Sequence, residues 1–199
     1  MRKTNTPPLV YYKYQKVFEE VANEMDTPVI WNTQRQMGKS TILAKLAAKY
    51  LKRGDVWMVG PNNHTEEEFI KKVIDQIPGS APVRKTRSRI ELATEEKINF
   101  LGSPSKFKKG ETYNQPKLII VDELAYVSKQ RFENLIPYIT PEPKHIKFVA
   151  VTTGITEENI EWVEKKFGTP EVITTAFESI NIWMEDLLGK SEDQEILRT

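Results

Sequence analysis

A glycine, a lysine and a serine stand at positions 38–40, directly before a stretch of residues with helical spacing. Gly38 lets the backbone approach an anion without a Cβ clash, and the N–H groups at a helix start attract negative charge. Lys39 is placed to reach the β- and γ-phosphates of a nucleotide, and the Ser40 hydroxyl is a suitable Mg²⁺ ligand. The segment therefore predicts a phosphate-binding loop.

The loop departs from the usual pattern, because Thr33 stands where a further glycine is expected, five residues before Gly38. Its setting still favours nucleotide binding, since an apolar run precedes it at 28–31 and a helical stripe follows it at 42–51. Arg35 can face the charge that develops on a transferred phosphoryl group, and the alternative is a surface arginine that only attracts anions. Besides Arg35, the loop residues that we expect to contact nucleotide are Gln34, Gln36, Met37, Gly38, Lys39, Ser40 and Thr41.

Two acids, Asp122 and Glu123, follow the apolar run LIIV at 118–121. Asp122 at a strand tip beside the phosphate loop would complete the Mg²⁺ shell. Glu123, one step further, can polarise an attacking water as a general base. A solvated strand end is the alternative, but the combination with the lysine loop on a separate strand favours nucleotide hydrolysis.

Thr152, Thr153 and Gly154 end another apolar run, at 148–153. Parallel strands end at the same edge of a sheet, so these residues are expected near the phosphate loop. Their hydroxyls can contact the γ-phosphate, so that its presence or absence changes the conformation of a moving part of the protein. The alternative interpretation is a simple exit from a strand into a loop.

The elements that must position these residues alternate along the chain. Amphipathic helical patterns lie between the strands; Thr65 with Glu68, and Thr156 with the acids after it, are predicted to start two helices. The order predicts an α/β fold with a mainly parallel central sheet flanked by helices. With the lysine loop and the acid pair, we expect this fold to be of the P-loop NTPase class (ASCE-type, RecA-like). The predicted strands are 28–31, 56–60, 98–101, 118–122, 148–153 and 171–175.

The composition excludes several kinds of site. The 199 residues contain no cysteine and two histidines, which excludes disulfides, thiolate zinc sites, cysteine nucleophiles and polyhistidine metal centres. No apolar run is long enough to cross a bilayer and the N-terminus carries no secretion signal, so we expect an intracellular protein with no membrane partner. The formal charge of +1 excludes a strongly basic coat for nucleic acid.

The charges are unevenly distributed along the chain. Residues 84–109 carry eight basic and three acidic side chains, whereas residues 157–199 carry four basic and eleven acidic ones. One interpretation is two solvated surfaces; the other is a basic face for a polyanion and an acidic region that faces a neighbour. The candidate polyanion-binding residues are Arg84, Lys85, Arg87, Arg89, Lys106, Lys108 and Lys109.

Together these residues resemble the ATPase domain of the large terminase subunit, the motor that packages DNA into tailed-phage heads. Residues 34–41 resemble the deviant phosphate loop of that family, and residues 121–126 resemble its Walker B segment. Tyr14-Gln15 resembles its adenine-recognition motif, and residues 152–154 stand where it has its coupling motif. The resemblance leads us to expect a P-loop ATPase domain over residues 1–180, followed by a helix and acidic tail over residues 181–199.

The resemblance implies an enzyme that hydrolyses ATP with Mg²⁺ and drives viral double-stranded DNA in the host cytoplasm. It implies that Gln15 hydrogen-bonds the adenine, that Arg35 is a catalytic arginine in cis and that Glu123 is the catalytic base; the alternative for Gln15 is an exposed glutamine on an amphipathic helix. A homo-oligomeric ring and a capsid portal are the implied partners. Because the family normally continues into a nuclease domain, a separate nuclease subunit is a further expected partner.

Two other functions stay open from the residues alone. A helicase-like or recombination ATPase fits the upstream glutamine and the Asp-Glu pair, although 199 residues leave no room for a second motor domain. A nucleotide-regulated binding module of a capsid vertex, with little turnover, is the other. The presence of Lys39, Ser40, Asp122 and Glu123 argues against that module.

Overall fold

The computed structural model describes residues 13–77, 84–86, 89–93, 98–107, 113–139 and 145–175. The helices are α1 (Lys13–Glu24), α2 (Lys39–Leu51), α3 (Asn63–Asp75), α4 (Lys129–Glu133) and α5 (Glu157–Phe167). The strands are β1 (Val29–Thr33), β2 (Val56–Val59), β3 (Arg84–Lys85), β4 (Arg89–Ala93), β5 (Ile98–Gly102), β6 (Leu118–Val121), β7 (Lys147–Thr152) and β8 (Glu171–Thr175). None of the helices in these ranges combines the length and apolar character that a membrane span needs.

The described strands form one eight-stranded sheet in the order β3-β4-β5-β2-β6-β7-β1-β8. Neighbouring strands from β5 to β8 in this order are parallel, whereas β3 and β4 extend one edge as an antiparallel ribbon. β2 and β6 are buried at every position, which explains why their sequences are continuous apolar runs. The prediction of an α/β fold with a mainly parallel sheet flanked by helices is confirmed.

Two apolar layers hold the helices against the sheet. In the first, α1, α2 and α3 pack together, and Phe18 of α1 stacks on Trp31 of β1 with 4.8 Å between the ring centroids. In the second, Phe132 of α4 and Val163 of α5 are buried over β6 and β7. Each such buried side chain stabilises the fold by roughly 2 kcal/mol, so both layers fix the strands whose ends carry the candidate site.

The β3–β4 ribbon is absent from the predicted strands, because its sequence is short and rich in charge. In β4, Ile90 and Leu92 face the core and alternate with exposed or half-buried positions. Arg89 Nε lies 2.9 Å from Glu91 Oε1, and the Arg89 guanidinium lies 4.4 Å from the centroid of the Phe100 ring. Part of the basic segment is therefore an ordered edge of the sheet.

Of the two predicted helix starts, the structure contradicts the one at Thr65 and confirms the one at Thr156. For α3 the prediction at Thr65 is wrong, because the Asn62 side chain accepts the hydrogen bond from Thr65 N at 3.0 Å and the helix begins at Asn63. For α5 the predicted start is confirmed. Thr156 caps that helix, and its side chain and that of Asn159 satisfy each other's backbone N–H groups in a capping box.

Three loops meet at one edge of the sheet because β6, β7 and β1 are parallel neighbours. Their carboxyl ends lead into residues 122–123, 153–154 and 34–38, respectively. In open parallel sheets this is the edge at which ligands bind. The strand order therefore brings together the three sequence motifs that are far apart in the chain.

Candidate functional site

The β1–α2 loop, residues 34–38, adopts a backbone conformation that explains its glycine. Gln36 and Gly38 have φ values of 63° and 72°, both in the left-handed region. A Cβ at position 38 would also lie 2.2 Å from Gln15 Nε2, so a side chain there would displace the Gln15 amide. Gln15 is buried and donates from Nε2 to Met37 O at 3.0 Å. Helix α1 thus supports the loop from behind.

The first turn of α2 faces the cleft with free backbone donors. Within the described residues no side chain caps this turn, and the amides of Thr41 and Ile42 are the first to bond back to Gly38 O. The leading N–H groups of a helix have no intrahelical acceptor. They are therefore available to an anion at this end of α2.

Lys39 carries a buried ammonium group surrounded by three acceptors. The side chain is 5% exposed, and Nζ donates to Gln34 O and to Thr153 Oγ1, each at 2.8 Å. Nζ also lies 3.3 Å from Glu123 Oε1. Such compensation is required because removing the hydration of an ammonium group is costly. Phosphate oxygens are acceptors of the same kind and can replace these contacts.

Ser40 and Asp122 are joined directly, since Ser40 Oγ donates to Asp122 Oδ2 at 2.8 Å. Asp122 is 3% exposed, and its Oδ1 has no hydrogen-bond partner within the described part of the chain. Burial raises the pKa of the Asp122 carboxyl, and the Ser40 hydrogen bond opposes that rise. A hydroxyl beside a buried carboxylate oxygen is a donor set that suits Mg²⁺, which completes its shell with phosphate oxygens and water.

Glu123 points its carboxylate towards Thr153 on the neighbouring strand end. Its backbone lies in the left-handed region with φ of 55°, a conformation that costs a non-glycine residue of order 1 kcal/mol. Oε2 accepts from Thr153 N at 3.2 Å and from Thr153 Oγ1 at 3.1 Å. The side chain is 28% exposed, so it reaches the cleft while Asp122 stays in the interior.

Residues at the end of β7 link the other two loops. Thr152 Oγ1 donates to Gly154 O at 2.5 Å and accepts from Ala125 N at 3.1 Å. Gly154 N donates to Asn32 Oδ1 on β1 at 3.0 Å. The segment 152–154 therefore contacts both the turn after the two acids and the strand that leads into the β1–α2 loop.

A cleft of about 600 Å³ opens over these groups. It is lined by residues 35–41, Pro61, Lys72, Glu123 and Tyr126. The cleft thus brings together most of the predicted nucleotide-binding residues, including Arg35. No sequence motif marks Pro61 or Lys72, because both come from the β2–α3 region and reach the cleft only through the strand order. Gln15 lies behind the loop, so its predicted adenine contact stays a prediction.

A buried ion pair holds the wall that carries Pro61. Arg131 of α4 donates from Nε to Pro61 O at 3.1 Å, and its Nη1 lies 3.3 Å from Glu66 Oε1. Glu66 Oε1 also accepts from Gly60 N at 3.3 Å. The two side chains are 18% and 3% exposed. Because α4 follows Glu123 in the chain, this contact ties the loop after β2 to the segment after the two acids.

The predicted polyanion-binding residues belong to the β3–β4 end of the sheet, and the structure describes them only in part. Arg89 is paired with Glu91, and Lys106 is exposed after β5. The backbone of Arg84 and Lys85 forms β3. The predicted residues that lie outside the described ranges are Arg87, Lys108, Lys109 and the tail 181–199.

Comparison with known proteins finds no matching family model and no matching curated protein. Among solved structures, the large terminase of a thermophilic bacteriophage aligns with a TM-score of 0.62 and 10% identity over 86% of this chain. The chain spans about half of that protein (47%). Structures of the same terminase with ADP and with ATP-γ-S also align.

Two further solved structures, an ATPase domain and a helicase domain, share this fold. The ATPase domain of the Thermus phage P74-26 large terminase aligns with a TM-score of 0.56 and 11% identity, over 91% of this chain and 86% of that domain. The helicase domain of Pyrococcus furiosus Hef aligns with a TM-score of 0.59 and 16% identity, over 83% of this chain and 38% of that one. At such identities the likeness is one of fold.

Proposed function

We propose that this chain is a Mg²⁺-dependent ATPase with residues 34–41 as its phosphate-binding loop. One observation carries the proposal: the Lys39 ammonium, the Ser40–Asp122 pair and the Glu123 carboxylate converge at one edge of a parallel sheet. Lys39, Ser40 and Glu123 line the same cleft. The fold is also that of a large terminase that has been crystallised with ADP and with ATP-γ-S, which supports the choice of ligand.

The residues of the cleft have distinct roles in this proposal. The backbone N–H groups at the start of α2 and the Lys39 ammonium bind the β- and γ-phosphates. Lys39 exchanges its contacts with Thr153 and Glu123 for phosphate oxygens as it does so. Glu123 accepts the proton of the attacking water, and the Arg35 guanidinium faces the charge that develops on the transferred phosphoryl group.

Ser40 and Asp122 are the residues that would hold Mg²⁺. No group of three or more metal-ligating side chains occurs within the described ranges, so the remaining ligands would be phosphate oxygens and water. When bound, Mg²⁺ supplies positive charge that neutralises the phosphate oxygens. Asp122 Oδ1 is buried and has no hydrogen-bond partner among the described residues, so it fits a role as a ligand, because a cation would remove the cost of burying it.

Within this class we propose a terminase-like motor that uses ATP hydrolysis to move viral double-stranded DNA in the host cytoplasm. Support comes from the motif resemblance and from the fold shared with two large terminases. Residues 152–154, which contact both neighbouring loops, would couple the state of the γ-phosphate to movement. We propose a homo-oligomeric ring with a capsid portal and a nuclease subunit as partners. DNA contacts from residues 84–109 would be directed at the backbone and sensitive to salt.

A helicase-like or recombination ATPase is the second candidate function. The shared fold with the Hef helicase domain, at 16% identity, favours it specifically. The two candidates use the same ATP site and differ in the nucleic acid that they act on.

The test measures ATP hydrolysis by the wild type and Glu123→Ala, with and without DNA. Glu133→Ala, an exposed position on α4, is the matched control. We expect Glu123→Ala to bind ATP but to lose at least about 100-fold in turnover, while Glu133→Ala keeps wild-type activity. Stimulation by double-stranded DNA favours the packaging motor, and separation of strands favours the helicase. Wild-type protein that binds ATP and never hydrolyses it, with all partners present, would overturn the ATPase proposal and favour a binding module.

A further inference from the structure

Lys72 is a cation of the cleft to which the mechanism above assigns no role. It lies in the last turn of α3 and lines the cleft together with Ser40, Thr41 and Glu123. Its side chain is exposed, and no ion pair or hydrogen bond engages it within the described residues. The Lys72 ammonium is therefore free to meet a ligand that enters the cleft.

The preceding residue, Lys71, differs from Lys72 in its contacts and in its position relative to the cleft. Lys71 is also exposed, but its Nζ pairs with Glu68 one turn earlier in α3. Lys71 is not part of the cleft lining. Two adjacent lysines of one helix therefore have different surroundings: Lys71 pairs directly with Glu68, whereas Lys72 interacts with Glu68 only through its charge and lines the cleft.

Lys72 shares the cleft with Ser40, whose Oγ donates to Asp122 Oδ2 at 2.8 Å. Ser40 and Asp122 are the residues that would hold Mg²⁺, which would supply positive charge to the phosphates of the nucleotide. Glu123, which is proposed to activate water for attack on the γ-phosphate, lines the cleft beside them. Lys72 therefore shares the cleft with residues that are proposed to act at the terminal phosphate.

We infer that Lys72 is a further phosphate-binding cation, which contacts the terminal phosphate of a nucleoside triphosphate and distinguishes it from a diphosphate. The inference rests on the proposed ATPase function and adds a specificity-determining residue to it. An ammonium–phosphate contact is charge-assisted, but water screens an exposed lysine. The expected contribution is therefore about tenfold in affinity, smaller than that of the enclosed Lys39.

The test compares the binding of ATP-γ-S and ADP, each with Mg²⁺, to Lys72→Ala, Lys72→Arg and the matched control Lys71→Ala. We expect Lys72→Ala to weaken ATP-γ-S binding about tenfold and ADP binding less than about twofold. Lys72→Arg should keep most of the discrimination, because it keeps the charge. Lys71→Ala should bind both nucleotides as the wild type does. Equal urea midpoints show that the variants are folded.

Unchanged ATP-γ-S affinity of Lys72→Ala would overturn the inference, and so would equal losses for the two nucleotides. A loss of DNA affinity alone would assign Lys72 to DNA instead and also overturn it. The variant Lys39→Ala distinguishes a failure of the Lys72 inference from a failure of the ATPase proposal. If Lys39→Ala abolishes binding while Lys72→Ala does not alter it, the ATPase proposal stands and only the inference fails. A wild-type chain that binds neither nucleotide would reject both.

Discussion

Lys39 Nζ lies 3.3 Å from Glu123 Oε1, and Thr153 Oγ1 bridges them by accepting from Lys39 and donating to Glu123. The proposed phosphate ligand and the proposed base thus satisfy each other in this conformation. A phosphate that draws Lys39 away removes a cation from beside Glu123. The Glu123 carboxylate then has one partner fewer and can accept a hydrogen bond from water instead. In the proposed mechanism, nucleotide binding and the release of Glu123 are therefore linked through one contact.

Thr153→Val should separate the two steps, because valine keeps the shape of threonine and removes the bridging hydroxyl. We expect kcat for ATP to fall about tenfold, while KM changes less than about threefold, since Lys39 still reaches phosphate. Steady-state hydrolysis at saturating Mg²⁺ measures both constants. Thr153→Ser, which restores the hydroxyl, is the control and should recover most of kcat. A valine variant with wild-type kcat would rule out a role for the bridge.

Asp122→Asn should stabilise the metal-free protein at neutral pH and abolish its response to Mg²⁺. Because burial raises the folded-state pKa of Asp122, its ionisation destabilises the fold. That cost is absent below the ordinary carboxyl pKa of about 4 and grows as the pH rises through the folded-state pKa. We expect a gain in unfolding free energy of order 1 kcal/mol at pH 8 that shrinks as the pH is lowered towards 4.

Urea denaturation with EDTA at pH 8 and pH 5 measures this gain, and thermal unfolding with Mg²⁺ and ATP measures the loss of ligand stabilisation. Asp75→Asn, at the exposed end of α3, is the control and should change neither quantity. An Asp122 variant that is less stable than the wild type at both pH values would contradict the prediction.

Gln15→Leu removes the donor to Met37 O and distinguishes two roles of this glutamine. If Gln15 supports the β1–α2 loop, the unfolding free energy should fall by about 1 kcal/mol, and ATP and GTP should lose affinity by similar factors. If Gln15 reads adenine, ATP should lose affinity and GTP should not. Binding of both nucleotides, together with urea denaturation, decides between the two roles. Lys16→Leu, at the adjacent exposed position, is the control.

Arg131→Met should lower the unfolding free energy by about 3 kcal/mol, because it removes a cation that pairs with the nearly buried Glu66 carboxylate. The loop that carries Pro61 should loosen as well, so ATP affinity should fall. Urea denaturation measures the first effect and nucleotide titration the second. Lys71→Met removes one partner of an exposed, solvent-screened pair and should lower the unfolding free energy much less. If the two variants lost the same unfolding free energy, burial of the Arg131 pair would not increase its contribution to stability.

The sequence predicts the parts of the fold that are encoded in continuous segments. The buried runs at β1, β2, β6 and β7 are recognisable as strands because both faces of a parallel sheet require apolar residues. The β3–β4 ribbon escapes prediction, since a charged edge strand has little apolar pattern. The cap of α3 is misplaced because Asn62 and Thr65 both suit a helix start, and the backbone around them decides between the two.

In the candidate site, too, the features that can be predicted are those encoded in continuous segments. Lys39, Ser40, Asp122 and Glu123 are recognisable because their chemistry depends on immediate neighbours in the chain. Contacts between distant segments are invisible in the sequence. The hydrogen bond from Gln15 to Met37, the bridge through Thr153 and the place of Lys72 in the cleft arise only when the strand order is known.

The strand order also has a consequence for how the protein folds. β1 is the first strand of the described chain, yet its partners are β7 and β8, so Val29 pairs with Val149 and Glu171. Pairings of such long sequence separation form slowly, since a large loop must close before they contribute. The segment with Lys39 is synthesised before residues 147–175, and β1 cannot complete its pairing until they have emerged. During translation, the candidate site therefore forms only after β7 and β8 are available.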